Sequence, residues 1–238
     1  MMRGKWRATL PQPGNERQGT IATVIAGVPA PTIRSPEPSL CVPMRMSERP
    51  SSRTSAGLPV ELTRYRKRWP GEGAVVDEFQ ALLDERVDDT PAHAFMRERL
   101  GGHFTASSWL VDAGGARVLL THHRKLGRWL QLGGHADGDT DLAAVALREA
   151  EEESGLSGLV VEAGLFDLDR HWIPERGDVP GHWHYDARYV VRATAGEAFV
   201  VGYESLDLAW RDIAAIQADL AADESLRRMA RKWLARHP

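Results

Sequence analysis

The feature that most constrains this sequence is a change of chemistry along one helix face. Residues 141–154 read as a helix. Asp139, Thr140 and Asp141 supply capping and first-turn groups, and Gly155 is placed to end it. At ~100° per residue, Leu142, Val145 and Ala146 fall on one side, which should face a core. The next positions on that side are Glu149 and Glu153. Glu152 flanks them and Glu151 points the opposite way. An inward stripe therefore turns from apolar to acidic after two turns. Carboxylates crowded on an inward face repel one another and lose hydration. Arg148, four residues before Glu152, can pair with it, but one arginine does not balance three glutamates. A bound hard cation does, and clustered oxygens suit magnesium or manganese. A glutamate run alone is more often a solvated helix end. The inward placement and the preceding Gly133-Gly134 argue against that here. A calcium loop starting at Asp137, Asp139 and Asp141 fails, because its sixth position is Leu142 and its twelfth is Arg148.

The same segment resembles the Nudix box, G-x5-E-x7-R-E-U-x-E-E-x-G-U, with U apolar. Gly134, Arg148, Glu149, Ala150, Glu152, Glu153, Gly155 and Leu156 match in register, and Thr140 stands where the pattern asks for glutamate. The loop of residues 133–139 is also similar to that of a bacterial subgroup with a G-G-H-x-D-G-D pattern. The resemblance implies an α/β fold, a Nudix-type α/β/α sandwich with a mixed sheet, over residues 101–238. It implies a hydrolase acting on phosphoric anhydride bonds, with Mg2+ (or Mn2+) as cofactor. Carried over residue by residue, Glu152 and Glu153 are expected as metal ligands, and Glu149 as a ligand or the base that activates water. The backbone carbonyl of Gly133 is expected to complete the shell, and Arg148 to orient the glutamates. The expected substrate is a nucleoside diphosphate derivative or related small molecule. Two other readings stay open. One is a non-catalytic metabolite sensor on the same fold, which Thr140 would suit. The other is an isomerase of isoprenoid diphosphates, which would need a reactive cysteine, and Cys41 lies far upstream.

Around this segment the chain divides into three parts. Residues 1–55 hold eight prolines and no surviving period, so they read as disordered or as a spurious extension. Residues 56–100 read as short helices: Val60, Leu62, Tyr65 and Trp69 recur at helical spacing up to Pro70-Gly71. A second run follows through Val75, Val76, Phe79, Leu82 and Leu83. From His103 strands are expected at 104–111 and 117–121, joined by Ala113-Gly114-Gly115 as a hairpin. Further strands are expected at 129–132, ending in the double glycine, and at 159–167 and 184–192. A last helix from Asp223 should bury Leu226, Met229, Ala230, Trp233 and Leu234. Mixed strands and helices argue for layered α/β architecture.

Several other residues are candidates for substrate contact. His122, His123, Arg124, Lys125 and Arg128 form a basic cluster read as a turn, suited either to clamping phosphate or to solvation. His182, His184, Asp186 and Arg188 share one face of a strand, with Trp183, Tyr185, Ala187 and Tyr189 on the other. The polar face is expected toward the groove, and His135 beside the metal. Zinc at the His-x-His pair is disfavoured, since the sequence shows no matching ligands elsewhere. Trp109 and Trp233 read as core. Trp129, Trp172 and Trp210 are candidates for stacking on substrate.

The bulk numbers set outer limits. A formal net charge of −3 gives no support to nucleic-acid binding. One cysteine excludes an intrachain disulfide and fits a reducing, cytoplasmic setting. No apolar run approaches the ~20 residues that span a bilayer. The short apolar stretch 21–28 is cut off from Arg3, Lys5 and Arg7 by polar residues, against an export signal. The expected partner is the small diphosphate substrate, with no nucleic acid and no membrane, and a homodimer is left open.

Overall fold

The computed structural model describes residues 57–85, 91–124, 126–202 and 205–236. The expectation for residues 1–55, Cys41 included, falls outside the described residues. Two helices come first, α1 (Leu58–Arg68) and α2 (Gly73–Asp84), separated by the turn Pro70–Glu72. Pro59 sits in the first turn of α1, where its missing N–H costs nothing. Leu62 and Tyr65 of α1 and Val76, Phe79 and Leu82 of α2 are buried. After the 3-10 turn Pro91–Phe95 come β1 (His103–Val111), β2 (Arg117–His123), β3 (Arg128–Leu130) and β4 (Leu132–His135). Then follow α3 (Leu142–Ser154), β5 (Leu159–Val161), β6 (Asp167–Ile173) and β7 (His182–Ala193). The chain continues through β8 (Ser205–Asp212), α4 (Ile213–Ala218) and α5 (Glu224–Arg236).

The strands form one mixed sheet. β1 and β7 are parallel, and the remaining pairs are antiparallel. Both central strands change partner along their length. β1 pairs with β4 over residues 105–108 and with β2 at Val111. β7 pairs with β6 over residues 182–188 and with β5 over 191–193. On one face Phe104, Ala106 and Tyr189 pack against Leu62, Phe79 and Val145, and Leu110 and Val191 pack with Ala150. On the other, Trp109, Val111 and Val190 pack against Leu226, Met229 and Trp233. Helices cover both faces, which makes the molecule an α/β/α sandwich. Each large apolar side chain buried this way stabilises the fold by about 1.5–3 kcal/mol. The α5 face of β1 changes character along the strand, from Thr105 and Ser107 to Trp109 and Val111. The polar half becomes the floor of a groove.

Four details differ from the sequence reading. The expected strand 129–132 is two strands, and the double glycine lies inside β4 rather than ending a strand. A Cβ at Gly133 would stand 2.6 Å from the Ala106 carbonyl oxygen, so the glycine is what allows β4 to lie against β1. The stretch 159–167 holds β5, a connection and the first residue of β6. β6 is masked in sequence by Asp169, Arg170 and His171, whose charges find partners only in the folded state. β8 and α4 were not anticipated: β8 is a polar strand paired with β2 alone, and α4 has six residues. Finally, His122 and His123 belong to β2 and Arg128 to β3, and of this cluster Arg124 lies in the turn that joins the two strands. Lys125 lies outside the described residues. No helix among the described residues is long and apolar enough to cross a membrane.

Candidate active site

A groove of about 850 Å³ lies between α3 and the polar half of the sheet. Its acidic wall is built by α3, which Asp141 starts by accepting a hydrogen bond from the Ala144 N–H at 3.1 Å. Gly155 ends the helix in the left-handed conformation, φ 67°. Within those limits the helical period carries Leu142, Val145, Ala146 and Ala150 into the core. Glu149, Glu152 and Glu153 line the groove.

The double glycine seats two of these carboxylates. The Gly133 N–H donates to Glu153 Oε1 at 2.9 Å. A Cβ at Gly134 would overlap the Glu149 carboxylate, so any larger residue would push it away. Burial raises the Glu149 carboxyl above its ordinary value. Arg148 opposes that, and the charge on Glu152 adds to it. Arg148 does not take up the expected pairing with Glu152. It pairs with Glu149 at 3.1 Å and Asp139 at 3.9 Å, and donates to the His135 carbonyl at 3.4 Å. It thus ties α3 to the preceding loop. Thr140 is exposed. The carboxylate that reaches Arg148 from this turn is Asp139.

That loop is held from the N-terminal side. Asp137 has φ 50° and Gly138 φ 88°. Aspartate tolerates the left-handed region better than most side chains. Arg97 Nε donates to Asp137 Oδ1 at 2.6 Å, and the Gly138 N–H donates to the Phe95 carbonyl at 3.0 Å. Arg97 lines the groove, and the sequence reading missed it. It lies 40 residues from its partner, and no local pattern marks it.

The floor is made by Thr105, Ser107, Gln131 and Asp186. Asp186 is only 2% exposed. Its carboxylate accepts from Ser107 at 2.7 Å, Thr105 at 3.1 Å, Gln131 at 3.2 Å and Arg188 at 2.8 Å. Arg188 continues into a buried cluster. It pairs with Asp167 and Asp169, each at 3.1 Å, and Asp167 also takes Arg228 at 2.7 Å and Lys232 at 2.6 Å.

At the end of the groove nearest β6, five histidines crowd together. His171, His184 and His103 form one row across β6, β7 and β1. His135 and His182 pack against that row, with ring centres 5.1–5.2 Å from those of His103 and His184. Burial lowers the imidazole of His103. Burial, with the charge of Arg97 adding to it, takes His135 to about 4. His184 falls to about 2 through burial and the neighbouring rings. His103 and His171 were not among the candidates from sequence. Nothing in the spacing links residues 103, 171 and 184.

Of the residues singled out from sequence, His123, Gly133, Gly134, His135, Arg148, Glu149, Glu152, Glu153, His184 and Asp186 line this one groove. Arg124 donates at 3.0 Å to the carbonyl of Ser205, which lines the groove. Arg128 turns to a second cavity of about 840 Å³, shared with Trp129 and Trp210, and pairs with Asp223 at 3.2 Å. His122 stacks on Trp129. Trp109 and Trp233 are buried, as expected, and Trp172 packs against Trp183.

Three carboxylates facing a groove offer only oxygen donors, a set that fits a hard divalent cation. A family model described as NUDIX domain matches residues 102–233. The chain belongs to the Nudix family and is a hydrolase acting on phosphoric anhydride bonds. Among solved structures, it is similar to the MutT protein from Methanosarcina mazei Go1, at 15% identity and a TM-score of 0.46, covering 58% of this chain and 96% of that one. A Nudix family hydrolase from Clostridium perfringens shares 27% identity with a TM-score of 0.43, over 57% of this chain and 98% of that one. A Nudix hydrolase from M. smegmatis shares 25% identity with a TM-score of 0.43, over 58% and 89%. No curated protein matches the sequence.

Proposed function

We propose that this chain cleaves the diphosphate linkage of a nucleoside diphosphate derivative or related small molecule, with Mg2+ as its cofactor. The observation that carries the reading is the shared exposure of Glu149, Glu152 and Glu153 to one groove, two of them seated by the double glycine. In this reading Glu152 and Glu153 hold the cation, with the Gly133 carbonyl beside them, and Glu149 is a further ligand or the base that activates water. When bound, the cation neutralises phosphate charge and lowers the pKa of water. The chain's own residues do the rest. Glu149, with its raised carboxyl, is poised to accept a proton from the attacking water. Arg148 fixes the orientation of Glu149 through their ion pair. Arg97 and Arg148 are the groove's arginines, and both are anchored by loop carboxylates. Arg124 beside Ser205, and His135 and His184 at the far end, are proposed substrate contacts. Asp186 acts through the floor it organises, since its oxygens are taken by four donors.

The occupant is proposed to be a small molecule. A net charge of −3 and a carboxylate-rich groove disfavour a nucleic-acid chain. The test is incubation with Mg2+ and a panel of nucleoside triphosphates, nucleotide sugars, ADP-ribose and dinucleotides, with products identified by mass spectrometry. Release of phosphate, pyrophosphate or a monophosphate is expected. Tight binding across the panel with no product would replace this reading with the sensor.

A further inference from the structure

We propose that His103, His182 and His184 form a site for a zinc-class divalent cation, separate from the carboxylate cluster. β7 places His182 and His184 on one face, two residues apart, and the parallel pairing of β1 sets His103 directly beside His184. One ring nitrogen from each of the three lies within 4.8 Å of the others. The two Nε2 atoms of His182 and His184 are 3.2 Å apart. Four ligands placed tetrahedrally around zinc at ~2.0–2.1 Å have nitrogen–nitrogen edges of roughly 3.3 Å, so one edge is already at that length.

The tautomers point the same way. His182 Nδ1 lies 2.8 Å from the Pro180 carbonyl oxygen, and His103 Nδ1 lies 3.3 Å from that of Arg99. A carbonyl only accepts, so Nδ1 carries the hydrogen in both rings and Nε2 carries the lone pair. This is the arrangement in which an outer hydrogen bond orients a metal-binding imidazole. His103 is 1% exposed, and its Nε2 is buried without a hydrogen-bond partner. Leaving such a nitrogen unmatched is costly, and a cation resolves it. Imidazole nitrogens select zinc, nickel, cobalt and copper over magnesium, so the two sites differ in the ions they take. Three protein ligands leave a fourth position open. His184 is the half-buried member and lines the groove, so the site adjoins the groove.

The full-length protein, stripped by chelation, would be titrated with Co2+ in excess Mg2+ and then displaced by Zn2+. One equivalent should bind with the visible absorption of a low-coordinate cobalt site. His182→Gln and His184→Gln should each weaken binding at least as much as the 10–100-fold typical of losing an outer-sphere partner, about a hundredfold. Glu152→Gln and Glu153→Gln should leave it within about twofold. X-ray absorption of the wild-type protein with one equivalent of Zn2+ should show an imidazole-dominated shell, and this measurement decides the matter if a histidine variant fails to fold. An oxygen-dominated shell would overturn the proposal. So would binding that disappears in Glu153→Gln but survives in His182→Gln.

Discussion

Two groups of charged residues meet along β7 and behave in opposite ways. In the first, Asp167, Asp169, Asp186 and Glu72 face Arg188, Arg228 and Lys232, with Tyr65 donating to Glu72. The carboxylate of Asp186 also accepts from Thr105 and Ser107 at Oδ1 and from Gln131 at Oδ2. Charge is nearly balanced, and Asp167 and Arg188 are 0% and 2% exposed. In the second, Glu149, Glu152 and Glu153 face a groove where Arg148 is shared with Asp139 and Arg97 is spent on Asp137. The first cluster is complete within the chain and holds α5 and α1–α2 to the sheet. The second lines an open groove, with Glu149 held by Arg148 and Glu153 by the Gly133 N–H. Charges buried against one another hold the fold, while carboxylates that line an open groove stand where a ligand can reach them.

The largest effect should follow from removing charge from the groove wall. Glu153→Gln and Glu149→Gln should each lower Mg2+-dependent turnover by about 10²–10⁴-fold, while thermal unfolding stays close to wild type. Unchanged turnover in steady-state assays would break the contrast. The matched cluster should respond in stability instead. Asp167→Asn leaves Arg188, Arg228 and Lys232 short of a buried partner and should cost about 3–5 kcal/mol by urea denaturation.

The same carboxylate gives the contrast a pH signature. Burial alone would raise Asp167, but hydrogen bonds from Arg228 and the charges of Arg188 and Lys232 outweigh it. They hold the carboxyl below its ordinary value of 3.8. A depressed carboxylate contributes stability in full above the unfolded value, near pH 4, and loses it as pH falls through the folded value. Wild type should therefore lose stability on acidification below about pH 4, and Asp167→Asn should show a flatter acid limb. Equal slopes would sink this assignment.

Smaller effects sharpen the picture. Gly134→Ala should displace only the end of the Glu149 side chain, reducing turnover by roughly 10²-fold for a shift near 1 Å. Gly133→Ala, which meets backbone, should lower the melting temperature as well. Arg128→Ala breaks an exposed pair away from the groove and should change stability by about 0–1 kcal/mol, with turnover within about twofold. A large loss of turnover would restore Arg128 to the phosphate clamp.

How far the site was legible depended on how local its parts are. The acidic wall lies on one helix, so its period of 3.6 residues and its end signals at Asp141 and Gly155 are enough to place three carboxylates together. The alternation on β7 likewise sorted His184 and Asp186 from Tyr185 and Ala187. Arg97, His103 and His171 carried no such signal, since Arg97 and His171 reach the groove, and His103 reaches His184, only through a strand pairing or a contact across tens of residues. β6 and β8 were missed because their polar residues look solvent-facing until their partners are known.

The amino-acid order alone determined the acidic helix, its caps, its inward acidic stripe and the alternation of the long central strand. These follow from backbone periodicities that any chain must obey. Only the tertiary structure decided that Arg148 joins Glu149 and Asp139, that Arg128 faces elsewhere, and that histidines 103, 171 and 184 stand in one row. Strand order and register set those neighbours, and both emerge from packing the whole sheet between its helices.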